Sequence, residues 1–503
     1  MLLEPLILEE NMWQKLAIME YLTLQCPGTY SINTLCVDLD LSYTKASNLV
    51  SELSGDLQEI FQYQLLGSDR KLIWQPKRYR HNDYIQFLVK SSIAYQFVLH
   101  SLLSPEMHFE HFCQQIYQSS STATRKLRQL KDILAQYGLT MQTAKMQIAG
   151  PESVVRMFYT TYLWAGSHGS DLLEANVDLQ AEQNLAQALI TTCGYFMPPE
   201  EIFTRLAVSR IRLDQGFLLD PATRPDISIH GQIETVIKDY LTPLIPDEHQ
   251  RKSHCQFICY LLYLTTHYTD AADFRIQDLK AFIRNLDFND PIVETLADYS
   301  DFFCNQLAFV TQTDYEQIFL LRLNLFVELV NYCVHQGNAP MILDLTKTVR
   351  AVDSASFNYL KERNLSFFQN CPYLQQFPWF KEQLDNFTED CTHAVFGLYK
   401  NCYKQAKLKV FIVPSPDHYV RQTLKDLLTQ LNFVEVLSTD TSNTAADFYI
   451  TTFEKLLPPT NKNYYLVNLI DNRDWQIELF ATLWRAYEAL IRQRKRSHTH
   501  PNN

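Results

Sequence analysis

The sequence predicts a mainly α, multidomain fold that ends in a small α/β domain with a parallel sheet, and three observations carry that prediction. Only 12 of 503 residues are glycine while 46% are apolar, a balance that favours helices joined by short loops. Apolar residues recur at helical spacing over most of the first 404 positions. At Lys407 the pattern changes to Leu408-Lys409-Val410-Phe411-Ile412-Val413, a continuous apolar strand followed by helix and strand signals in turn. A chain of this length holds several domains, each with its own core.

Residues 11–24 predict an amphipathic helix through Trp13, Leu16, Ala17, Met19 and Leu22, stopped by Cys26-Pro27-Gly28. A short helix at 31–39, a turn at Asp40-Leu41-Ser42 and a helix at 43–54 follow. Their apolar positions Leu35, Leu39, Leu41, Ala46, Leu49 and Leu53 share an inner face, and Tyr43, Thr44, Lys45 and Asn48 face outward. Residues 62–74 alternate around Gly67-Ser68-Asp69 and read as a hairpin. Arg70, Lys71, Lys77, Arg78 and Arg80 bring five positive charges within eleven residues. Helix, turn, helix and basic hairpin make a first winged helix-turn-helix over 1–80.

The same plan returns over 81–150. A short helix at 109–117 leads into the polar turn Gln118-Ser119-Ser120, with Ser120 or Ser121 expected to cap a second helix at 121–137. That helix sets Leu127, Leu130, Ile133 and Leu134 on one face. Arg125, Lys126, Arg128, Gln129 and Lys131 lie on the other, with no carboxylate before Asp132. Gly138 stops it, and 139–148 predict the two strands of a wing. A basic helix presented beside a wing suits the major groove of duplex DNA. Ser121, Thr122, Arg125, Lys126, Arg128 and Gln129 are the expected contacts. Arginine is the favoured base reader because its fork matches the guanine edge, whereas lysines and hydroxyls more often hold phosphates.

From residue 151 the helices lose their basic faces. Segments at 151–164, 185–193, 202–213, 233–241, 254–267, 292–307, 315–335 and 386–403 predict two helical bundles, 151–285 and 286–404. The last domain, 405–503, is read as a strand at 408–413, a helix at 417–431, strands at 433–437, 447–451 and 464–469, and a helix at 474–492.

Charge divides unevenly. Residues 1–150 carry 13 Lys/Arg against 14 Asp/Glu, the remainder 31 against 42, so the net −12 is concentrated outside the basic helices. Neither a phosphate-binding glycine loop nor a dinucleotide fingerprint is present. The start, MLLEPLILEE, lacks a basic region before its apolar run, and the apolar run at 255–266 is too short to span a bilayer. Eleven cysteines without CxxC pairs suit reduced thiols, so a cytoplasmic protein with no membrane partner is expected. His254, Cys255 and Cys259 lack a second ligand pair for a structural metal, and Cys391-Thr392-His393 lacks the spatial arrangement of a nucleophile and base. The sequence points to no cofactor, no metal and no enzyme.

The run 118–127 (QSSSTATRKL), Tyr137-Gly138-Leu139 and Ile148-Ala149-Gly150-Pro151-Glu152, leading into Arg156-Met157-Phe158-Tyr159, resemble the Mga/AtxA-like family of Gram-positive transcription regulators. The resemblance implies a homodimer, two helical domains like phosphotransferase regulation domains, and a last domain like enzyme IIB. It also implies possible contact with phosphotransferase-system proteins. Two departures follow from the same comparison. Arg205 and Asn324 stand where the regulatory histidines belong, and the loop Pro414-Ser415-Pro416-Asp417-His418 has no cysteine to phosphorylate. Among the remaining histidines (His168, His230, His249, His254, His267, His335, His393), His267 and His335 are the weak candidates for phosphorylation. A DNA-binding regulator is the expectation. An RNA-binding antiterminator with similar regulatory domains, or a phosphotransferase-system protein, is the alternative.

Overall fold

The computed structural model describes residues 7–67, 69–75, 81–174, 177–194, 196–219, 229, 231–286, 290–307, 315–338, 340, 354–402, 407–413, 418–431, 433–437, 446–452, 463–467 and 475–498. The chain divides into two compact units. One comprises Met1–Ser300, Thr313–Val349 and Asn364–Val395; the other comprises Asp301–Gln312, Arg350–Arg363 and Phe396–Asn503. Helices dominate the first, and the second holds the sheet that the Lys407 transition predicts.

The first unit opens with α1 (Glu10–Thr23), β1 (Gly28–Tyr30), α2 (Ile32–Asp38), α3 (Tyr43–Phe61) and β2 (Leu72–Trp74). Leu16, Met19 and Leu22 of α1 and Leu49, Val50, Leu53 and Leu57 of α3 are buried, as their spacing requires. Ser42 caps α3, accepting from Lys45 N at 3.4 Å, and α3 runs on to Phe61, where Gln62 turns left-handed (φ 50°). The hairpin expected at 62–74 is present and gains a third strand. Ile73 N donates to the Leu65 carbonyl at 2.8 Å and Gly67 N to the Lys71 carbonyl at 2.9 Å around a bridge between Leu66 and Leu72, while β2 pairs antiparallel with β1, Thr29 opposite Ile73. Gly28-Thr29-Tyr30 is too short to show strand alternation, so this third piece of the wing was hidden.

The second helix-turn-helix comprises α4 (His81–Ser91), α5 (Ile93–Leu103), α6 (Phe109–Gln115), α7 (Ser120–Lys126), α8 (Arg128–Gln136), β3 (Thr140–Gln142) and β4 (Gln147–Ala149). The helix predicted over 121–137 is therefore two helices meeting at Leu127 (φ −78°, ψ −3°). The expected cap also moves by one residue: Ser119, not Ser120 or Ser121, accepts from Thr122 N at 3.2 Å. Gly138 does end the helix, at φ +68°, a conformation open to glycine and strained for other residues. The wing pairs Met141 with Ile148 in antiparallel register.

Then follow α9 (Glu152–Ser167), α10 (Gln180–Cys193), α11 (Pro199–Asp214), α12 (Gln232–Leu241), α13 (Glu248–Tyr263), α14 (Arg275–Arg284), α15 (Pro291–Phe302), α16 (Tyr315–His335), α17 (Ser354–Asn370) and α18 (Phe380–Cys402). Among the described residues, α16 is the one helix long and apolar enough to cross a membrane. Of its most apolar window, 83% is buried inside the protein, which makes it a core helix. It is longer than the apolar run at 255–266.

In the second unit β5 (Leu408–Ile412), α19 (His418–Thr429), β6 (Val434–Val436), β7 (Phe448–Thr451), β8 (Tyr464–Leu466) and α20 (Trp475–His498) make the small α/β domain. The sheet runs β6-β5-β7-β8, with all three pairings parallel. Leu408, Val410 and Ile412 project to the face that buries Leu424, Leu428, Leu479 and Leu483, while Phe411 and Val413 serve the other face. Two-sided burial explains why β5 reads as an unbroken apolar run.

Candidate nucleic-acid interface

The second helix-turn-helix holds its basic helices by an aromatic core. Phe112 meets Phe97 edge-on at 5.9 Å and stacks on Phe109 at 6.1 Å. Ala123, Leu127, Leu130 and Leu134 lie buried beneath α7 and α8, and Met146 and Ile148 bring the wing onto the same core. With that face committed, Ser121, Thr124, Arg125, Arg128, Gln129 and Lys131 are left exposed. Thr122 is half-buried, and its hydroxyl meets the Ser119 hydroxyl at 2.8 Å within the cap. The turn ahead of α7 passes through Tyr117, left-handed at φ 53° and 93% exposed.

Lys126 differs from its basic neighbours. Its ammonium lies 2.6 Å from Glu9 Oε2, with side-chain exposures of 31% and 15%. Sequence reading gave Glu9 no role, because 116 intervening residues conceal the contact. In the first unit Tyr43, Thr44, Lys45 and Asn48 are exposed as expected, and Lys45 reaches Glu10 at 3.3 Å. Arg70 and Lys71 are exposed in the hairpin. The Lys71 backbone N–H and then its ammonium hold Asp69 below the usual carboxylate range. Ser68, Lys77, Arg78 and Arg80 lie outside the described residues.

The wing leads directly into a buried charge cluster. Glu152 Oε1 accepts from Arg156 Nε at 2.8 Å and from Arg212 Nε at 3.0 Å, and its Oε2 accepts from Arg212 Nη2 at 2.6 Å. Arg156 also donates to the Phe217 carbonyl at 2.8 Å, and Arg212 stacks 3.5 Å over the Phe217 ring. Burial lowers the Arg156 pKa, and Glu152 opposes that shift. This gives a physical reason for the glutamate at the exit from the wing.

The regulatory positions can be placed as well. Arg205 is buried and donates to the Leu261 carbonyl, the Thr265 hydroxyl and Glu201. Asn324 holds the backbone of Tyr268 at both ends, accepting from its N–H at 2.7 Å and donating to its carbonyl at 3.0 Å. His267 meets Glu328 at 2.7 Å, and buried His335 meets the Tyr260 hydroxyl at 2.9 Å. Asn324, Glu328, Asn331 and His335 thus form one polar stripe on α16. His254 is turned to Arg156 at 3.4 Å. His168 faces the Trp164 carbonyl, and His249 is exposed. His230 and the loop 414–417 lie outside the described residues.

Residues 78–163 match the family model of the Mga helix-turn-helix domain. The matched stretch runs past Gly150 into α9, consistent with Tyr159 of α9 meeting Ser101 of α5 at 2.9 Å. No curated protein matches the chain. The match supports a DNA-binding transcription regulator of Mga-like character.

Proposed function

With an Mga helix-turn-helix domain as the premise, we propose that this chain is a cytoplasmic transcription regulator of the Mga/AtxA type that reads duplex DNA through α7 and α8. One observation carries the reading. Arg125 and Arg128 are exposed beside a wing, on helices whose opposite faces are locked into the core. Arg125 and Arg128 supply base readout, with Gln129 and the Ser121 and Thr122 hydroxyls orienting the helix on the backbone. Tyr43, Thr44, Lys45 and Asn48 of the first unit extend the footprint on the same duplex, and Arg70, Lys71, Lys77, Arg78 and Arg80 add phosphate contacts.

In this proposal the protein has five parts: 1–80, 81–150, two regulation-like helical domains at 151–285 and 286–404, and an enzyme IIB-like domain at 405–503. The last three set the spacing of two subunits, so a signal that alters dimerisation alters DNA occupancy. Phosphotransferase-system proteins are the proposed signalling partners, with His267 and His335 as the histidines to examine. An RNA-binding antiterminator would require a β-rich start, whereas α1 to α3 are helices, so DNA is the favoured partner.

A gel-shift titration tests the reading with duplex DNA selected by the wild-type protein from a random pool. Losing two phosphate contacts flattens the dependence of log Kd on log salt by about 1.8. Losing one bidentate guanine contact weakens binding by about 1–3 kcal/mol. Arg125→Ala/Arg128→Ala is expected to show one or both effects; unchanged affinity and slope remove the assignment.

A further inference from the structure

Two consecutive acids, Glu9 and Glu10, each hold a lysine from one of the two helix-turn-helix units, but the two pairs are unequal. Glu10–Lys45 is 3.3 Å long with side chains 83% and 46% exposed, so water and salt screen it and Lys45 remains available to a phosphate. Glu9–Lys126 is 2.6 Å long and largely withdrawn from solvent. The other Glu9 oxygen, Oε1, is buried without a hydrogen-bond partner among the described residues, so the carboxylate depends on Lys126 for compensation.

The segment around this pair is docked on both sides. Ile7 and Leu8 are each 3% exposed, and the Ile7 carbonyl accepts from Ser92, the residue that caps α5 of the second unit. Two residues later, the Glu9 carbonyl accepts from Trp13 N at 3.0 Å and so opens α1 of the first unit. A short stretch of backbone therefore ties one unit to the other. Tyr84 of α4 adds a second link by donating to Asp56 of α3 at 3.0 Å, and Asp56 also holds Lys15 of α1 at 2.6 Å.

We infer that residues 7–10 are a strap that holds the two helix-turn-helix units at one separation, with Lys126 as its anchor and a positioning residue rather than a DNA contact. The inference rests on the proposed DNA-binding reading, since a fixed separation matters only if both units address one duplex. Lys126 is spent internally, leaving Arg125 and Arg128 to face the groove. Loosening the strap does not remove a phosphate contact; it lets the units move apart, so the protein tolerates a wrong spacing in the DNA.

The test uses full-length protein and the duplex selected by the wild type, with binding followed by fluorescence anisotropy across a salt series. Lys126→Gln is expected to weaken binding while leaving the salt slope unchanged, and Lys71→Gln, at a proposed phosphate contact, to flatten the slope by about 0.9. One base pair inserted between the two footprints is expected to cost the wild type at least about tenfold in Kd and Lys126→Gln less than about threefold. The charge swap Glu9→Lys/Lys126→Glu is expected to restore the wild-type response. Equal slope losses in Lys126→Gln and Lys71→Gln would overturn the strap and make Lys126 a phosphate contact.

Hydrogen exchange on the full chain decides the tether without DNA. Glu9→Gln and Lys126→Gln should both speed exchange in residues 8–11 and in α7, and unchanged exchange would overturn the strap. Unchanged affinity and slope in Arg125→Gln and Arg128→Gln would instead count against the DNA-binding reading, with exchange still deciding the strap.

Discussion

Replacing Glu152 by glutamine keeps its shape and removes the charge that two buried arginines share. The side chain of Arg156 is fully buried and that of Arg212 only 3% exposed, against 11% for Glu152. Removing one partner of a buried ion pair costs about 3–5 kcal/mol, because the other charge is left in low dielectric without compensation. Here two cations lose the same anion, so Glu152→Gln should lie at the upper end. Arg212→Met instead leaves Glu152 Oε1 paired with Arg156, but strips Oε2 of its partner and forfeits the stacking on Phe217. Because one cation still compensates the carboxylate, its cost should be smaller, about 3 kcal/mol. Thermal unfolding by circular dichroism, repeated in urea, reads both variants. A loss of 4–5 kcal/mol corresponds to a fall in Tm on the order of 10 °C. If Glu152→Gln melts with the wild type, or Arg212→Met is the more damaging change, the shared-carboxylate reasoning is wrong.

Other changes have equally definite outcomes. Ser119→Ala removes the α7 cap and should cost about 1 kcal/mol, seen in a urea titration, whereas Ser120→Ala should cost much less. Alkylation at pH 8 followed by mass spectrometry should label exposed Cys26 first and spare Cys333, whose thiol burial pushes up to about 12. The hydrogen bond to Asp38 raises the Tyr21 phenol to about 12. A raised folded-state pKa means that this contribution is complete below pH 10 and disappears as pH climbs towards 12. Tyr21→Phe should therefore narrow the gap to wild type over that alkaline interval alone; a constant gap from pH 8 to pH 12 would refute the linkage.

Periodicity made much of this fold legible, and physical causes account for what it missed. The segments at 43–54 and 233–241 showed their helices because one face is apolar, and 315–335 because it is apolar over most of its circumference. The central strands β5 and β7 showed themselves because both faces are buried. The break at Leu127 left no mark, since Ala123, Leu127, Leu130 and Leu134 continue one apolar stripe across it. The helix at Ser354–Asn370 was missed where buried Ser356 and Asn364 interrupt its apolar face. At the candidate interface, the exposed arginines were legible as a face without carboxylates. Lys126 was not separable from them, because its partner is fixed by tertiary packing. Glu152 was visible as a motif residue, and only the fold shows why a carboxylate belongs there.

The stripe of Asn324, Glu328, Asn331 and His335 has a consequence for how α16 finds its place. A rod of leucine and valine can be rolled about its axis or slid by a turn at little cost, because one greasy side resembles another. Four hydrogen-bonding groups along one edge act as the teeth of a key. Only a single angle and depth lets them all mesh with Tyr260, His267 and Tyr268, and any other insertion strands them in oil. A long, mostly apolar helix is thereby given little freedom to be misfiled.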